Sequence, residues 1–170
     1  SISVLLLFTI LKIKYLNVEN FTDPLTRCLN RRKFMIDYDK AMKSDHGFLI
    51  LDIDNFKSIN DNYGHDVGDY VLVKVANVLK VALGNEQQCY RIGGEEFVVI
   101  FDENNKERAI KLAEDIRHSI ENVIWNDEII VTISGGLSFS DVNKNTYKAA
   151  DELLYKAKRG TKNIIINDIE

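Results

Sequence analysis

Residues 48–54 read FLILDID, a nearly continuous apolar run that ends in two aspartates. An apolar run of this length is typical of a strand that is buried on both faces of a sheet, so the sequence predicts a strand over residues 48–53. Asp52 and Asp54 stand at its carboxyl end. The fold is therefore expected to include a fully buried strand that carries acids at one end.

Helical and strand patterns alternate around this stretch. Helices are predicted over residues 31–43, 55–63, 66–81, 106–122 and 146–159, with Asn30 capping the first, and strands over residues 89–92, 97–101, 129–136 and 163–166. Residues 93–96, GGEE, join two of the strands into a hairpin, because glycine supplies the backbone freedom of a tight turn. The order αβααββαβαβ predicts an α/β (α+β) fold, one sheet covered by helices with the hairpin exposed at an edge. A dinucleotide-binding fold is not predicted, because no G-x-G-x-x-G follows the first strand.

Composition limits the classes of function. A chain of 170 residues corresponds to about one domain, and 45% hydrophobic with 28% charged residues is typical of a globular protein rather than a disordered one. The net charge of −4 argues against a general nucleic-acid binder. Cys28 and Cys89 belong to no CxxC or Cys/His cluster, which fits a reducing compartment and argues against a zinc site.

The amino-terminal segment is unusually apolar. Residues 4–11 read VLLLFTIL, and Lys12 and Lys14 follow. The run is too short to span a bilayer by itself, because a spanning helix needs about 20 apolar residues. Three interpretations remain open: the cytoplasmic end of a truncated transmembrane helix, an amphipathic helix that packs on the domain or pairs with a second copy, and a disordered segment. The chain starts without methionine, so we expect a fragment of a longer protein.

Two acidic pairs lie at predicted strand ends, Asp52 with Asp54 and Glu95 with Glu96. If the two strands are neighbours, these carboxylates converge at one edge of the sheet. Converging oxygen ligands suit Mg²⁺, and two such ions can clamp the attacking and leaving oxygens of a phosphoryl transfer. Lys57 follows directly, at the start of a helix whose backbone N–H groups favour phosphate. The alternative is that the acids are solvated turn residues.

Residues 91–97, RIGGEEF, closely resemble the signature of GGDEF domains, the diguanylate cyclases, in its GGEEF form. Further blocks resemble the family's other motifs in the same order: DPLT at 23–26 with NRR at 30–32, LDIDNFKSIND at 51–61, GHDVGD at 64–69, and ADELLYKAK at 150–158. Together these blocks cover residues 23–163, nearly the whole chain.

The resemblance implies a polymerase-palm, ferredoxin-like sheet with a signature hairpin. It implies condensation of two GTP into cyclic di-GMP with release of pyrophosphate, in a homodimer because each domain binds one GTP. It also implies Mg²⁺, with Mn²⁺ as the alternative, at two ions per active site. Residues 21–170 would form the catalytic domain, in the cytoplasm. Residues 1–20 would be a helix or linker from an upstream signalling or membrane segment, and the segment before residue 12 is the candidate anchor of the full-length protein. The upstream sensor domain would be absent from this fragment.

The resemblance also assigns roles residue by residue. Asp52, the Ile53 carbonyl and Glu95 would bind the metals. Glu95 would help to activate the ribose 3′-hydroxyl, with Glu96 in support, and Lys57 would stabilise charge on the transferring phosphoryl group.

The remaining assignments concern the substrate. The Phe56 and Lys57 amides and Lys158 would hold the β- and γ-phosphates, and Lys162 stands where the family often has a phosphate-binding arginine. Asn60 and Asp69 match the guanine-binding pair, because a carboxylate accepts from the N1–H and exocyclic amine that adenine does not offer. His65 lies near the same pocket, either as a loop-fixing residue or as a substrate contact.

Some positions depart from the family pattern. Residues 84–87, GNEQ, stand where the family often has an R-x-x-D product-inhibition motif, so this form of inhibition is predicted to be absent. Arg27 and Cys28 replace the usual glycine and an aliphatic or aromatic residue. Two other functions stay open: a catalytically silent GTP-binding regulatory module, and a cyclase with another nucleotide preference.

Dimerisation is predicted to depend on the amino-terminal segment. An apolar stripe at helical spacing would form a seam with a second copy, or would dock on its own domain. The stripe consists of Leu5, Phe8, Leu11, Tyr15 and Val18.

Overall fold

The computed structural model of the chain describes residues 2–84, 87–101, 105–125, 129–140 and 145–169, and only the backbone of residues 2, 3 and 13–18. Within these ranges the helices and strands are, in order, α1 (Ile2–Phe21), β1 (Leu29–Asn30), α2 (Arg31–Ala41), β2 (Gly47–Ile53), α3 (Phe56–Tyr63), α4 (His65–Leu83), β3 (Gln88–Arg91), β4 (Glu96–Phe101), α5 (Lys106–Glu121), β5 (Ile133–Phe139), α6 (Thr146–Arg159) and β6 (Ile165–Asn167).

The strands form one sheet in the order β1-β3-β4-β2-β5-β6. Strand β2 is antiparallel to both of its neighbours, β4 and β5, while β1 pairs with β3 and β5 with β6 in parallel. Residues 48–51 and Ile53 are buried, so the prediction of a fully buried strand is confirmed. The fold is mixed α+β, a six-stranded sheet flanked by helices, as the sequence predicts.

Helices cover both faces of the sheet. Leu49, Leu51 and Ile53 face α3, α4 and α5, whereas Phe48 and Ile50 face α2 and α6. Because side chains alternate along a strand, Asp52 belongs to the face of α2 and α6. Helix α6 therefore covers the face of the sheet on which Asp52 lies.

Three features of the sheet differ from the sequence prediction. Strand β1 was not predicted, because two residues are too few to show a period. Since β1 pairs with β3, the β3–β4 hairpin is not at the edge of the sheet, and the expectation of an exposed hairpin edge is wrong. Strand β5 begins at Ile133 rather than at residue 129, because its pairing starts opposite Ile53, the last residue of β2.

The amino-terminal segment is helical, but it does not pack on its own domain between residues 4 and 12, where the side chains are exposed. Residues 4–8 are five consecutive exposed apolar residues. Docking of this stretch on its own domain is therefore not observed, while pairing with a second copy stays a prediction. The side chains of Tyr15 and Val18 lie outside the described part of the chain. Among the residues described, no helix combines the length and the apolar character that crossing a membrane would require.

Cys28 and Cys89 are free, buried and adjacent. The parallel pairing of Leu29 with Tyr90 places the two preceding residues opposite each other. A hydrogen bond from the Cys89 thiol lowers the pKa of Cys28, while the same bond and burial raise the pKa of Cys89. The thiols therefore belong to the core beside the hairpin.

Candidate active site

The carboxyl end of β2 and the start of β4 bring two acids together. Asp52 and Glu96 are direct partners in the antiparallel register of these strands, so both carboxylates lie on the face of α2 and α6. The sequence prediction that the two acidic strand ends are neighbours is therefore confirmed.

Lys158 of α6 provides the positive charge beside these acids. Its ammonium contacts Asp52 Oδ1 and donates to the Ile53 carbonyl at 3.1 Å. The Lys158 ammonium thus bridges two oxygens that the family resemblance assigns to a metal. Carboxylate and carbonyl oxygens are the ligands that Mg²⁺ prefers.

Burial and neighbouring charges disfavour ionisation of both carboxyls. Burial raises the pKa of Asp52, opposed by Lys158 and reinforced by Glu95 and Asp54. The pKa of Glu96 is also raised, first by burial and then by Asp52, while Arg31 opposes the shift. Repulsion between the acids is thus one cause of both raised pKa values, and a divalent cation between the carboxylates would relieve it.

Glu95 precedes β4 and is half-buried. Its carbonyl accepts from the Ile53 N–H at 3.4 Å, which holds it next to the end of β2. Glu96 instead lines a cleft of about 350 Å³ between α2, α6 and the hairpin, together with Arg31 and Tyr147. In the described ranges no three His, Cys, Asp or Glu side chains form a group that could hold a metal, so a metal here needs the Ile53 carbonyl or a substrate oxygen besides Asp52 and Glu95.

Asp54 borders this acidic edge from the interior of the fold, because its Oδ1 lies 3.6 Å from the Lys158 ammonium that also contacts Asp52. Both aspartates of the motif therefore converge on Lys158, as the sequence predicts. Its side chain is buried and accepts from the Thr132 hydroxyl at 2.8 Å and the Ser134 hydroxyl at 2.7 Å. It also accepts from the Asn163 N–H at 3.0 Å. Asp54 therefore ties β2 to β5 and to the turn after α6.

The start of α3 is surrounded by lysines. Asn55 precedes the helix with a φ of 55° and makes no side-chain cap, so its amide oxygen accepts instead from Lys162 Nζ at 2.6 Å. Phe56 is buried, and Lys57 is exposed beside it. Backbone N–H groups at a helix start, with lysines close by, favour a phosphate group.

The predicted guanine pair lies where α3 meets α4. A Cβ at Gly68 would lie 1.9 Å from Asn60 Oδ1, so the lack of a side chain at Gly68 leaves room for the Asn60 amide against α4. Asp69, the next residue of α4, and His65, at its start, are exposed. Gly64, with a φ of 88°, makes the turn between the helices. The structure therefore brings Asn60 next to the helix that carries Asp69.

One contact at the hairpin was not predicted from the sequence. Asp23 accepts from the Thr26 N–H and hydroxyl at 2.8 and 2.7 Å and from Arg91 Nη1 at 3.0 Å. The same arginine donates from Nε and Nη2 to the Gly94 carbonyl at 3.0 and 2.7 Å. Arg91 thus joins the turn after α1 to the GGEE hairpin. The only signal in the sequence was the presence of Asp23 and Arg91 in two of the quoted motifs.

Gly84 and Gln87, which stand where the family often has the arginine and aspartate of R-x-x-D, border a second cleft. This cleft of about 440 Å³ is also lined by Arg108 and Lys111 of α5. Residues 85 and 86 lie outside the described part of the chain.

Comparison of the sequence with protein families gives one family, "Diguanylate cyclase, GGDEF domain", over residues 20–164. A diguanylate cyclase of Vibrio cholerae is 35% identical over 154 residues, which are 84% of this chain and 48% of that protein. A probable diguanylate cyclase of Escherichia coli, DgcT, is 36% identical over 161 residues, 86% of this chain and 36% of that protein. The chain spans less than half the length of these relatives.

Solved structures agree with the sequence comparison. The coiled coil and GGDEF domain of DgcB from Caulobacter crescentus, in complex with c-di-GMP, superimposes with a TM-score of 0.87 at 25% identity, over 98% of this chain and 95% of that one. The active GGEEF domain of a diguanylate cyclase from Vibrio cholerae superimposes with a TM-score of 0.74 at 32% identity, over 84% of this chain and 98% of that one.

Proposed function

This chain belongs to the GGDEF-domain family of diguanylate cyclases, and from that membership we propose that it condenses two GTP molecules into cyclic di-GMP and two pyrophosphates. The observation that carries the proposal is the cation at the acidic edge. Lys158 contacts both Asp52 and the Ile53 carbonyl. The Ile53 N–H donates to the carbonyl of Glu95, the residue before β4, so Glu95 lies at the same strand end.

A divalent metal fits this edge because its oxygens already attract a cation. Asp52, the Ile53 carbonyl and Glu95 would hold Mg²⁺ or Mn²⁺, two ions per site when GTP is bound. When bound, the metal offsets the negative charge that develops on the transferring phosphoryl group and on pyrophosphate. Lys158, which contacts two of these oxygens in the structure, would contact the phosphates instead when a metal is held there.

The triphosphate would lie at the start of α3. The Phe56 and Lys57 N–H groups would donate to its oxygens, because Asn55 leaves this end of the helix without a side-chain cap. Lys57, Lys158 and Lys162 would supply the positive charge. Lys57 would act on the transferring group itself, where charge develops during the reaction.

The guanine base would lie between α3 and α4. Asp69 would accept from the N1–H and exocyclic amine, and Asn60 would complete the contact. His65, exposed at the start of α4, would border the same pocket.

Glu95 would accept the proton of the ribose 3′-hydroxyl as this oxygen attacks the α-phosphorus of the other GTP. Glu96 would keep the charge of the edge negative without touching the hydroxyl, because its side chain lines the cleft toward α2. Two protomers must face each other, since each supplies one GTP, and both phosphodiester bonds form across the homodimer.

Residues 21–170 would form the catalytic unit, working in the cytoplasm where GTP is available, and residues 1–20 would link it to an upstream sensor. Product inhibition through an R-x-x-D motif would be absent, because Gly84 and Gln87 replace its arginine and aspartate.

The test is incubation of the purified chain with GTP and Mg²⁺, followed by chromatographic separation of the nucleotides. We expect cyclic di-GMP from the parent chain and a loss of at least about 100-fold in rate for Glu95→Ala, the usual size of a lost general base. Glu107→Gln, at an exposed position of α5, is the matched control and should retain the parent rate.

Absence of product at high protein concentration would contradict the proposal. If GTP still binds, the chain is a GTP-binding regulatory module. If GTP does not bind, the proposed substrate is wrong as well.

A further inference from the structure

Asp54 and Arg117 are the only Asp, Glu, Lys or Arg residues that are buried in the described part of the chain. A buried charge is costly unless it is paired and hydrogen-bonded. Arg117, on α5, donates to Glu114 at 2.8 Å and to Glu121 at 3.1 Å. Its Nη1 also donates to the Asn163 side-chain oxygen at 2.9 Å.

Asn163 connects the two buried charges. Its backbone N–H donates to Asp54 Oδ2 at 3.0 Å, and its side-chain oxygen accepts from Arg117. Its side-chain nitrogen donates to Glu121 at 2.7 Å. The main chain and the side chain of this residue are therefore both held, one by β2 and the other by α5.

The turn that contains Asn163 needs such support. Lys162 and Asn163 have φ angles of 58° and 48°, two consecutive non-glycine residues in the left-handed region. That conformation costs energy for residues with a Cβ, and it persists where the surroundings hold it. The bonds to Asp54 and Arg117 supply this support.

The turn carries Lys162 to the proposed phosphate site. Lys162 Nζ donates to the side chain of Asn55, the residue that precedes α3. A change in the backbone conformation of this turn would move the Lys162 ammonium away from the start of α3, even with the lysine itself unchanged.

We propose that Arg117 and Asn163 are positioning residues, which hold the turn over residues 160–163 so that Lys162 meets the triphosphate of GTP. The inference rests on the proposed function, because it takes the start of α3 as the phosphate site. Arg117 touches no substrate in this scheme and acts through Asn163 and Lys162.

The experiment compares the affinity for GTP with that for GMP, by calorimetric titration in Mg²⁺. Arg117→Met keeps the length of the side chain and removes its donors. We expect GTP to bind about tenfold more weakly, the effect of one charge-assisted contact, while GMP, which lacks the outer phosphates, binds as before. Lys111→Met removes an exposed lysine of the same helix and should leave both affinities unchanged.

A second variant keeps the inference testable if Arg117→Met folds poorly, since Glu114 and Glu121 would lose their partner. Asn163→Gly retains the N–H that Asp54 accepts and tolerates the positive φ, but it lacks the link to Arg117. It should weaken GTP binding by the same factor.

The decisive measurement is made in the Lys162→Met background. If Arg117 acts through Lys162, then Arg117→Met causes no further loss there, whereas a general structural role gives the same loss in both backgrounds. Parent-like GTP affinity of both Arg117→Met and Asn163→Gly, or an equal loss for GTP and GMP, would overturn the inference and leave the proposed function intact. Failure of the parent chain to bind GTP would instead contradict the proposed function.

Discussion

Asp23 is the residue on which the link between the turn after α1 and the hairpin depends. Burial by itself raises the pKa of this carboxyl, but the hydrogen bonds from Thr26 and Arg91 outweigh that effect, and its pKa is lowered. Arg91 in turn holds the Gly94 carbonyl of the hairpin. One carboxylate therefore orients the arginine that fixes the turn before Glu95.

The pKa shift of Asp23 gives a pH-dependent contribution to stability. A carboxylate with a lowered folded-state pKa stabilises the fold above its unfolded pKa, and the contribution disappears as the pH falls through the folded value. Asp23→Asn should therefore lower the free energy of unfolding by about 1–2 kcal/mol at pH 7. The difference from the parent should shrink below a pH of about 4.

Urea unfolding of both proteins across this pH range measures the effect. Asp39→Asn, at an exposed position of α2, is the control and should show no such dependence. A constant difference between parent and Asp23→Asn at every pH would mean that the ion pair with Arg91 is not the source of the stabilisation.

A substitution of Asp69 tests how the protein recognises the guanine base. Asp69→Ser removes the acceptor proposed for the N1–H and amine of guanine, so the ratio of kcat/KM for GTP over ATP should fall by about 10–100-fold. Competition kinetics with the two nucleotides measure this ratio. Asp61→Ser, exposed on α3, should retain the parent ratio, and an equal fall in both variants would assign the effect to charge alone.

At the scale of elements, α6 packs directly on the backbone of β5. A Cβ at Gly136 would lie 2.0 Å from the Ala150 carbonyl oxygen and 2.4 Å from the Leu154 nitrogen, so only glycine permits this approach. The short distance between helix and sheet is what lets Lys158, at the other end of α6, contact Asp52 at the end of β2.

Gly136→Ala should therefore destabilise the fold by about 1–3 kcal/mol, the usual cost of inserting a carbon into a packed interface. Denaturant unfolding gives the value. Gly94→Ala is the matched control, because a Cβ there meets nothing within 4 Å. Equal stability of the two variants would show that α6 can move outward without cost.

The long helices and strands could be predicted because each is long enough to show the spacing of apolar residues that is typical of its type. The β2 run, the helix after Asn30 and the hairpin appear at the expected positions, and Asn30 caps α2 by accepting from the Lys33 N–H at 3.0 Å. Strand β1 and the limits of β5 could not be predicted, because neighbouring strands determine them.

The same distinction applies to the site. Asp52, Glu95 and Glu96 lie at one edge because they end or precede adjacent strands, which local patterns indicate. The inward orientation of Asp54 and the contact between Arg117 and Asn163 join residues 46 or more positions apart in sequence, and no local pattern carries that information.

At the scale of the whole molecule, the stretch of α1 over residues 4–12 is exposed at every position, whereas the carboxyl end of the helix contacts Asn30 and Arg32. Its apolar residues from 4 to 8 are exposed, Phe8 by 72%. An exposed apolar surface of this kind marks an interaction site, and we expect a second copy to cover it, which would also bring the two GTP sites together. We therefore expect the rate per chain to increase in proportion to protein concentration until the dimer saturates.

Variants of α1 test this expectation. Phe8→Ser lies on the predicted seam and should weaken dimerisation by about tenfold, as measured by sedimentation. The lost activity should return at higher protein concentration. Leu7→Ser removes an exposed side chain off the seam and should have little effect, whereas equal effects of both variants would exclude this seam as the interface.

The buried thiols beside the hairpin make the protein its own probe of local opening. A thiol-reactive dye reaches Cys28 and Cys89 only after the β1–β3 edge separates, because both are covered in the folded chain. The labelling rate at low urea concentrations thus gives the free energy of that separation, and no cysteine has to be engineered into the chain. A variant that only dissociates into monomers should still be labelled slowly. A variant in which β1 separates from β3 should be labelled fast, so the two effects can be distinguished.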